Sequence, residues 1–270
     1  MSQDGTTRRV VRALRQVGLY ERARQVRRGV ARLEVTERSI SMIARVSPTG
    51  AAALDWLQPS KHSSWGGPMN GQAGRQRLIR ELVRIVDVAA VVETGTYRGT
   101  TTEFLWHLTG RPVFSVESER RSFEYAKRRF ARNESVQLSL SDSRIFLQRL
   151  VDNDEVPKKT VLFYLDAHWG ADLPLRDELV IIAQHWSDPI IVIDDFAVPG
   201  DPGYGFDDYG EGRSLTLDYL PPNAIEDMVV LFPSLPSRLE TGARRGCAVL
   251  VERTRELDLS SLSLRHATVT

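Results

Sequence analysis

The feature that most constrains this chain is an alternation, beginning near residue 89, of short apolar runs with helical patterns. The runs are AAVVE (89–93), PVFSVE (112–117), SVQLSL (135–140), TVLFYLD (160–166) and PIIVIDD (189–195). Between them apolar residues recur at three- and four-residue steps over 99–109, 120–132, 143–151 and 174–186. A further helix over about 75–86 carries Leu78, Leu82 and Ile85 on one face. Short apolar strands separated by single helices predict a parallel sheet covered on both faces. Two later runs, DMVVLF (227–232) and CAVLVE (247–252), are joined by turn-rich sequence and predict an antiparallel pair at one edge. The expected fold class is α/β, with a seven-stranded, mostly parallel sheet.

The remainder organises around that core. In residues 1–46, Val10, Leu14 and Val17, then Ala23, Val26, Val30 and Leu33, follow helical spacing with arginine on the outer face. This basic amphipathic extension holds 11 Arg against 4 acids. It suits a solvated arm packed on its own core, a homo-oligomer contact, or a peripheral contact with an anionic membrane. Residues 47–74 read as a linker able to cover a cofactor, 75–255 as the catalytic domain, and 256–270 as a C-terminal tail. The formal net charge of +1 gives no case for a nucleic-acid partner. A lone Cys247 excludes an intrachain disulfide and fits a reducing compartment. With no signal-like or membrane-spanning apolar run, the expected location is cytoplasmic.

Five of the predicted strands end in an acid: Glu93, Glu117, Asp142 (two residues past its strand), Asp166 and Asp194. Successive spacings of 24, 25, 24 and 28 residues are each one strand–helix repeat. In an open parallel sheet the carboxyl ends share one edge, where ligands bind. Any one of these acids can be explained as a helix N-cap. All five, with Asp195 beside Asp194, point to a site.

The first turn, VVETGTYRGTTTEF, narrows the ligand. Gly95 and Gly99 enclose Thr96, Tyr97 and Arg98, where a pyrophosphate cradle wants G-x-G-x-x-G. Glu93 entering the turn repels phosphate and suits an ammonium group, such as that of the methionyl part of S-adenosylmethionine (SAM). Glu117 is placed to accept ribose hydroxyls, and Asp142 with Ser143 to accept from an adenine amino group.

ETGTYRG, the acid of SVES, SDS, YLDAH and IDDF occur in an order that resembles class I SAM-dependent methyltransferases, over about Asn70 to Glu252. The resemblance implies a Rossmann-like sheet and SAM as cofactor. Asp166, Asp194 and Asp195 resemble the acidic set of the macrocin-type, metal-dependent sugar O-methyltransferases, a group related to cephalosporin hydroxylases. That implies methylation of a hydroxyl on a sugar, glycan or small natural product, with Mg²⁺. The Arg-rich N-terminus and DAHWGADLPLRDEL depart from that group, so its glycosylated substrates do not carry over.

The residues themselves suit such chemistry. Three carboxylates from adjacent strand ends offer hard oxygen ligands to Mg²⁺. An alcohol acceptor must lose its proton, and His168 is the candidate base, with Asp166 in that role if it is not a ligand. The D-A-H-x-D pattern of arginase-like metallohydrolases fails at Gly170. A metal-dependent hydroxylase or hydrolase on the same scaffold, or a non-catalytic binding module, are the rival readings. The segment 196–215 has the composition of a lid, with Tyr204, Tyr209 and Arg213 as acceptor contacts; Trp65 and Asn70 of WGGPMNGQ are candidates for closing over the cofactor.

Overall fold

The computed structural model describes residues 42–45, 47–168 and 172–267. The chain divides between residues 47 and 48 into two units, of which the second carries the sheet. The helix pair expected over 10–33 lies outside the described residues.

The strands are β1 (Ala90–Thr94), β2 (Val113–Glu117), β3 (Val136–Leu140), β4 (Val161–Leu165), β5 (Ile190–Asp194), β6 (Met228–Pro233), β7 (Cys247–Glu252) and β8 (Leu264–His266). They form one sheet in the order β3-β2-β1-β4-β5-β7-β6-β8. β1 to β5 are mutually parallel, and β7, β6 and β8 continue the sheet as antiparallel neighbours. Each parallel crossover is a helix: α3 (Thr100–Thr109), α4 (Arg120–Arg129), α5 (Ser143–Val151) and α6 (Leu175–His185). Two more precede the sheet, α1 (Pro48–Trp56) and α2 (Ala73–Ile85).

Strand parity divides the core. Val92, Phe114, Phe163, Leu165, Ile191 and Ile193 face Phe146 and Leu147 of α5 and Leu179 and Ile182 of α6. Val91, Val113, Leu162, Tyr164, Ile190 and Val192 face Leu78, Ile79 and Leu82 of α2 and Leu105 of α3. Every residue of β1, β4 and β5 is buried, as expected of strands apolar on both faces. The order reverses between β1 and β4, so the switch-point crevice opens there.

Two elements differ from expectation. The segment 47–74 is not only loop: PTGAAALDW forms α1, with Pro48 at its first position, where its missing N–H costs nothing, and an alanine run after it. Its Trp56 packs on Tyr125 of α4, ring centroids 5.2 Å apart. The stretch that reads as a C-terminal tail buries Leu262 and contributes an eighth strand, β8, which buries Leu264 and pairs with the otherwise open edge of β6.

α2 is fixed to the sheet by a buried ion pair. Arg75 is 2% exposed and donates to the Asp194 carboxylate of β5 and to the carbonyls of Arg245 and Gly246. Tyr164 donates to the other Asp194 oxygen at 2.6 Å. Removing one partner strands the other charge inside the protein. Arg75→Met should cost about 3–5 kcal/mol in denaturant unfolding, and Arg75→Met with Asp194→Leu should recover most of it. A cost under about 1 kcal/mol for the single change would mean that this pair does not hold α2.

Candidate functional site: the crevice between β1 and β4

The chain leaves β1 into the Gly95–Gly99 turn. Gly95 has φ +90°, and a Cβ there would overlap the Asp166 carbonyl of the chain leaving β4. Only glycine permits that approach at the switch point. Gly99 has a different reason: a Cβ would lie 2.6 Å from the Phe130 ring. Tyr97, the exposed member of the turn, has φ +48° and donates its backbone N–H to Glu117 at 2.6 Å.

Glu117 closes β2 at the floor of the crevice. Its second oxygen accepts from Glu119 N–H at 2.8 Å, and burial pushes its pKa up against those two bonds. A carboxylate has about four acceptor positions, so capacity remains for a ligand's hydroxyls.

The structure moves other expected cofactor contacts inward. Glu93 is 1% exposed and does not reach the crevice surface, because it shares the strand face of Val91. One of its oxygens accepts from the hydroxyls of Thr102 (2.5 Å) and Ser115 (2.6 Å). Thr96 lies 2.6 Å from Ser115, and since Ser115 gives its proton to Glu93, Thr96 is the donor. Burial pushes Glu93 up to about 7, against those hydroxyl bonds. Asp142 caps α5, accepting from Arg144 and Ile145 N–H, and is gripped by the Arg144 guanidinium at 2.6 Å. That guanidinium holds its carboxyl below the usual range. Ser143, beside it, is buried with its hydroxyl in no hydrogen bond among the described residues.

The acidic cluster has a different membership from the expected one. Asp194 is withdrawn from it: strand parity turns its side chain toward α2, where Arg75 and Tyr164 take both oxygens. His168 replaces it. Asp166, His168 and Asp195 each present a ligand atom, all within 4.8 Å of one another. His168 Nε2 stands 3.9 Å from Asp166 Oδ1, and neither ring nitrogen has a hydrogen-bond partner among the described residues. Burial lowers the imidazole pKa, so the ring is neutral at pH 7. Loss of water at the crevice floor, then Asp195, push the Asp166 carboxyl well above the usual carboxylate range.

Two residues of this cluster have no signal in the sequence pattern. Arg245, just before β7, donates to Asp195 at 2.8 Å and to Asp207. Asp207, from the segment after β5, also donates its N–H to the Asp195 carbonyl at 2.9 Å. Tyr209 Oη lies 2.8 Å from Asp207 and 3.3 Å from the His168 carbonyl, and Arg213 donates to the Tyr209 carbonyl. The segment 205–213 is thus folded over His168. Tyr204 is not part of it: it is 2% exposed and donates to the Leu235 carbonyl.

The stretch before α2 is laced to the same edge. Buried Asp55 accepts from Arg121 at 2.7 and 2.8 Å and pairs with Arg98 of the turn at 3.4 Å. Gln72 brackets Arg245 with two backbone bonds, and Met69 N–H donates to Thr101 at the start of α3. Trp65, Met69 and Asn70 all have positive φ, and Trp65 is 66% exposed. Strain of this kind persists where surrounding bonds over-determine it.

Glu178 carries a signal readable in the sequence: it stands with Leu175, Leu179 and Ile182 on the apolar stripe of α6. It is fully buried, and desolvation pushes it up to about 7, opposed by the Ser143 and Thr94 hydroxyls.

No protein-family model matches the sequence, and no curated protein matches it. Among solved structures, the chain is similar to an O-methyltransferase from Bacillus cereus in complex with SAH (14% identity, 84% of this chain and 97% of that chain, TM-score 0.49). It is also similar to an O-methyltransferase from Streptomyces achromogenes in complex with SAM (15%, 67% and 80%, 0.47). A third is an amino pentose methyltransferase from Micromonospora echinaspora (14%, 75% and 95%, 0.45). The sheet order itself defines the class of fold: a doubly wound, mostly parallel α/β sheet closed at one edge by the antiparallel strands β7, β6 and β8. Likenesses this distant carry no functional argument, which rests on the crevice residues.

Glu93 and Glu178 make stability depend on pH. Each has a folded pKa of about 7 against an ordinary 4.5, so the folded state retains protons that the unfolded chain releases. Their contribution is complete below about 4.5, falls as pH rises, and is gone above about 7. The loss is at most about 3 kcal/mol per group. Glu93→Gln should flatten its share of that slope in urea titrations at pH 5, 6 and 7; an unchanged slope would place its ionisation elsewhere.

Proposed function

We propose that this chain is a SAM-dependent methyltransferase acting on the hydroxyl of a small-molecule acceptor, such as a sugar or natural product, with a divalent cation at its acidic cluster. The observation that carries the reading is the composition of the switch-point crevice. Glu117 and the glycine-tightened turn stand on one side, Asp166, His168 and Asp195 on the other, with no phosphate cradle between. That edge suits a nucleoside with a cationic tail rather than a dinucleotide.

The cluster fits a cation. Asp195 and Asp207 share one guanidinium, that of Arg245, and the raised Asp166 carboxyl beside them would give up its proton to a bound cation. The neutral ring of His168 keeps its one free lone pair unused beside the two carboxylates. Asp166 and Asp195 would hold the ion, and when bound it would lower the pKa of an acceptor hydroxyl.

The chain's own residues supply the remainder. Glu117 takes the ribose hydroxyls on its open acceptor positions. Gly95 lets the backbone lie against the cofactor's tail. His168 would accept the acceptor's proton on a ring nitrogen; SAM, when bound, would supply the methyl group to that oxygen and leave as S-adenosylhomocysteine. Asp207 and Tyr209 hold the covering segment over His168 and keep water out.

Calorimetric titration with SAM and S-adenosylhomocysteine, with and without Mg²⁺ or Mn²⁺, tests the reading. Micromolar binding should weaken about 10–100-fold in Glu117→Ala, the worth of hydrogen bonds to a charged group. Asp195→Ala should abolish a metal-dependent turnover and leave SAM binding in place. No binding by the unaltered protein under any of these conditions would sink the methyltransferase reading. A second reading draws on the nitrogen donor in the cluster, which also suits a hydrolytic metal centre; metal-dependent turnover without SAM would point there.

A further inference from the structure

Beneath the crevice lies a second polar cluster that the proposed chemistry does not use. Thr94 ends β1 on the strand face of Val92, which looks onto α5 and α6. Ser143 is the first residue of α5, and Glu178 stands in the first turn of α6. All three are 5% exposed or less. Thr94 Oγ1, Ser143 Oγ and both carboxyl oxygens of Glu178 make no well-formed hydrogen bond among the described residues. Yet the two hydroxyls lie near enough to hold the Glu178 pKa down against its burial. Four polar atoms thus converge in the interior with their bonding unfinished.

Such groups are costly unless they complete one another, so this position has to be explained. An apolar residue at 178 would continue the stripe of Leu175, Leu179 and Ile182 and remove the cost. What the carboxyl reaches gives the explanation. Thr94 leads directly into the Gly95 turn, and its backbone carbonyl accepts the Asp166 N–H at 2.8 Å, which ties together the two strand ends of the switch point. Ser143 starts the helix at the edge of β3, next to the position expected to meet adenine. Among the described residues, Glu178 is the group that stands near both from inside.

We propose that Glu178 is a positioning residue for the cofactor: from within the fold it couples the end of β1 to the start of α5 through Thr94 and Ser143, and so sets the width of the nucleoside crevice. The inference rests on the methyltransferase reading. In its neutral form the carboxyl donates to one hydroxyl and accepts from the other, joining them in a chain. Ionised, it only accepts, leaving a buried negative charge without a guanidinium of its own. The charged groups nearest it are Asp142 and Arg144 on α5, already engaged with each other, and its own helix contributes Arg176 and Asp177 at the surface. A pKa of about 7 places the change between these forms near neutrality.

The test is SAM binding by calorimetry between pH 6 and 8 on the full chain, with Glu178→Gln and Glu178→Leu beside the unaltered protein and circular dichroism to check folding. The unaltered protein should lose affinity several-fold as pH rises. Glu178→Gln, which keeps both a donor and an acceptor, should bind as tightly as the unaltered protein does at pH 6, with a flatter profile. Glu178→Leu should stay folded, gain stability, and bind about tenfold more weakly at every pH. An unchanged pH profile in Glu178→Gln, or full affinity in a folded Glu178→Leu, overturns the inference while SAM binding itself still stands. Absence of SAM binding by the unaltered protein overturns the methyltransferase reading, and this inference with it.

Discussion

A guanidinium buried at the end of β5 must find all its acceptors inside the protein. Arg75 finds them in Asp194 and in two carbonyls of the loop before β7. One side chain thereby fixes three things: the start of α2, the end of the last parallel strand, and the approach of the first antiparallel one. Glu240 reinforces the junction by accepting from the N–H groups of Gly74 and Arg75 at the helix start. The neighbouring Arg245 is then aimed back across the crevice at Asp195 and Asp207. The charge pattern of the site follows from that arrangement, since Asp194 is consumed in holding the scaffold and Asp166, Asp195 and Asp207 remain.

Strand parity explains which parts of this were legible. Apolar runs mark β1 to β7, with helices between the first five, and in β1, β2, β4 and β5 burial on both faces leaves little other composition. The acids at their ends were legible as a group, and Glu117, Asp166 and Asp195 do meet at one edge. Their individual assignments were not, because alternation decides which face a terminal residue takes. Glu93 and Asp194 each sit on the face that looks toward α2 and α3, while Asp195, one residue on and at φ +52°, turns into the crevice. A one-residue difference at a strand end separates a scaffold acid from a site acid.

Long-range partners explain the rest. Nothing in the local sequence around Arg75 or Arg245 says that its counter-charge lies 119 or 50 residues away. α1 has a weak signal because Pro48 and Gly50 interrupt its pattern, and its anchorage is a buried aspartate, Asp55, whose arginines come from the Gly95 turn and α4. β8 is three residues long and gains its structure from the edge that it covers. Glu178 shows the opposite case: a charged residue on an apolar helical stripe is visible in sequence, and its meaning appears only once Thr94 and Ser143 are seen beside it.

The bracket that Gln72 forms around the backbone of Arg245 joins residues 173 apart in the chain. Contacts of such separation bear a high loop-closure cost and form only when most intervening structure is in place. During synthesis, β1 to β5 and their helices emerge and can pair before residue 245 exists outside the ribosome. The parallel half can therefore assemble with its crevice still open on one side, and the rim is completed only when the antiparallel strands dock. Order of assembly thus separates the two halves of the sheet: the nascent chain acquires its parallel strands first and the rim around Arg245 last.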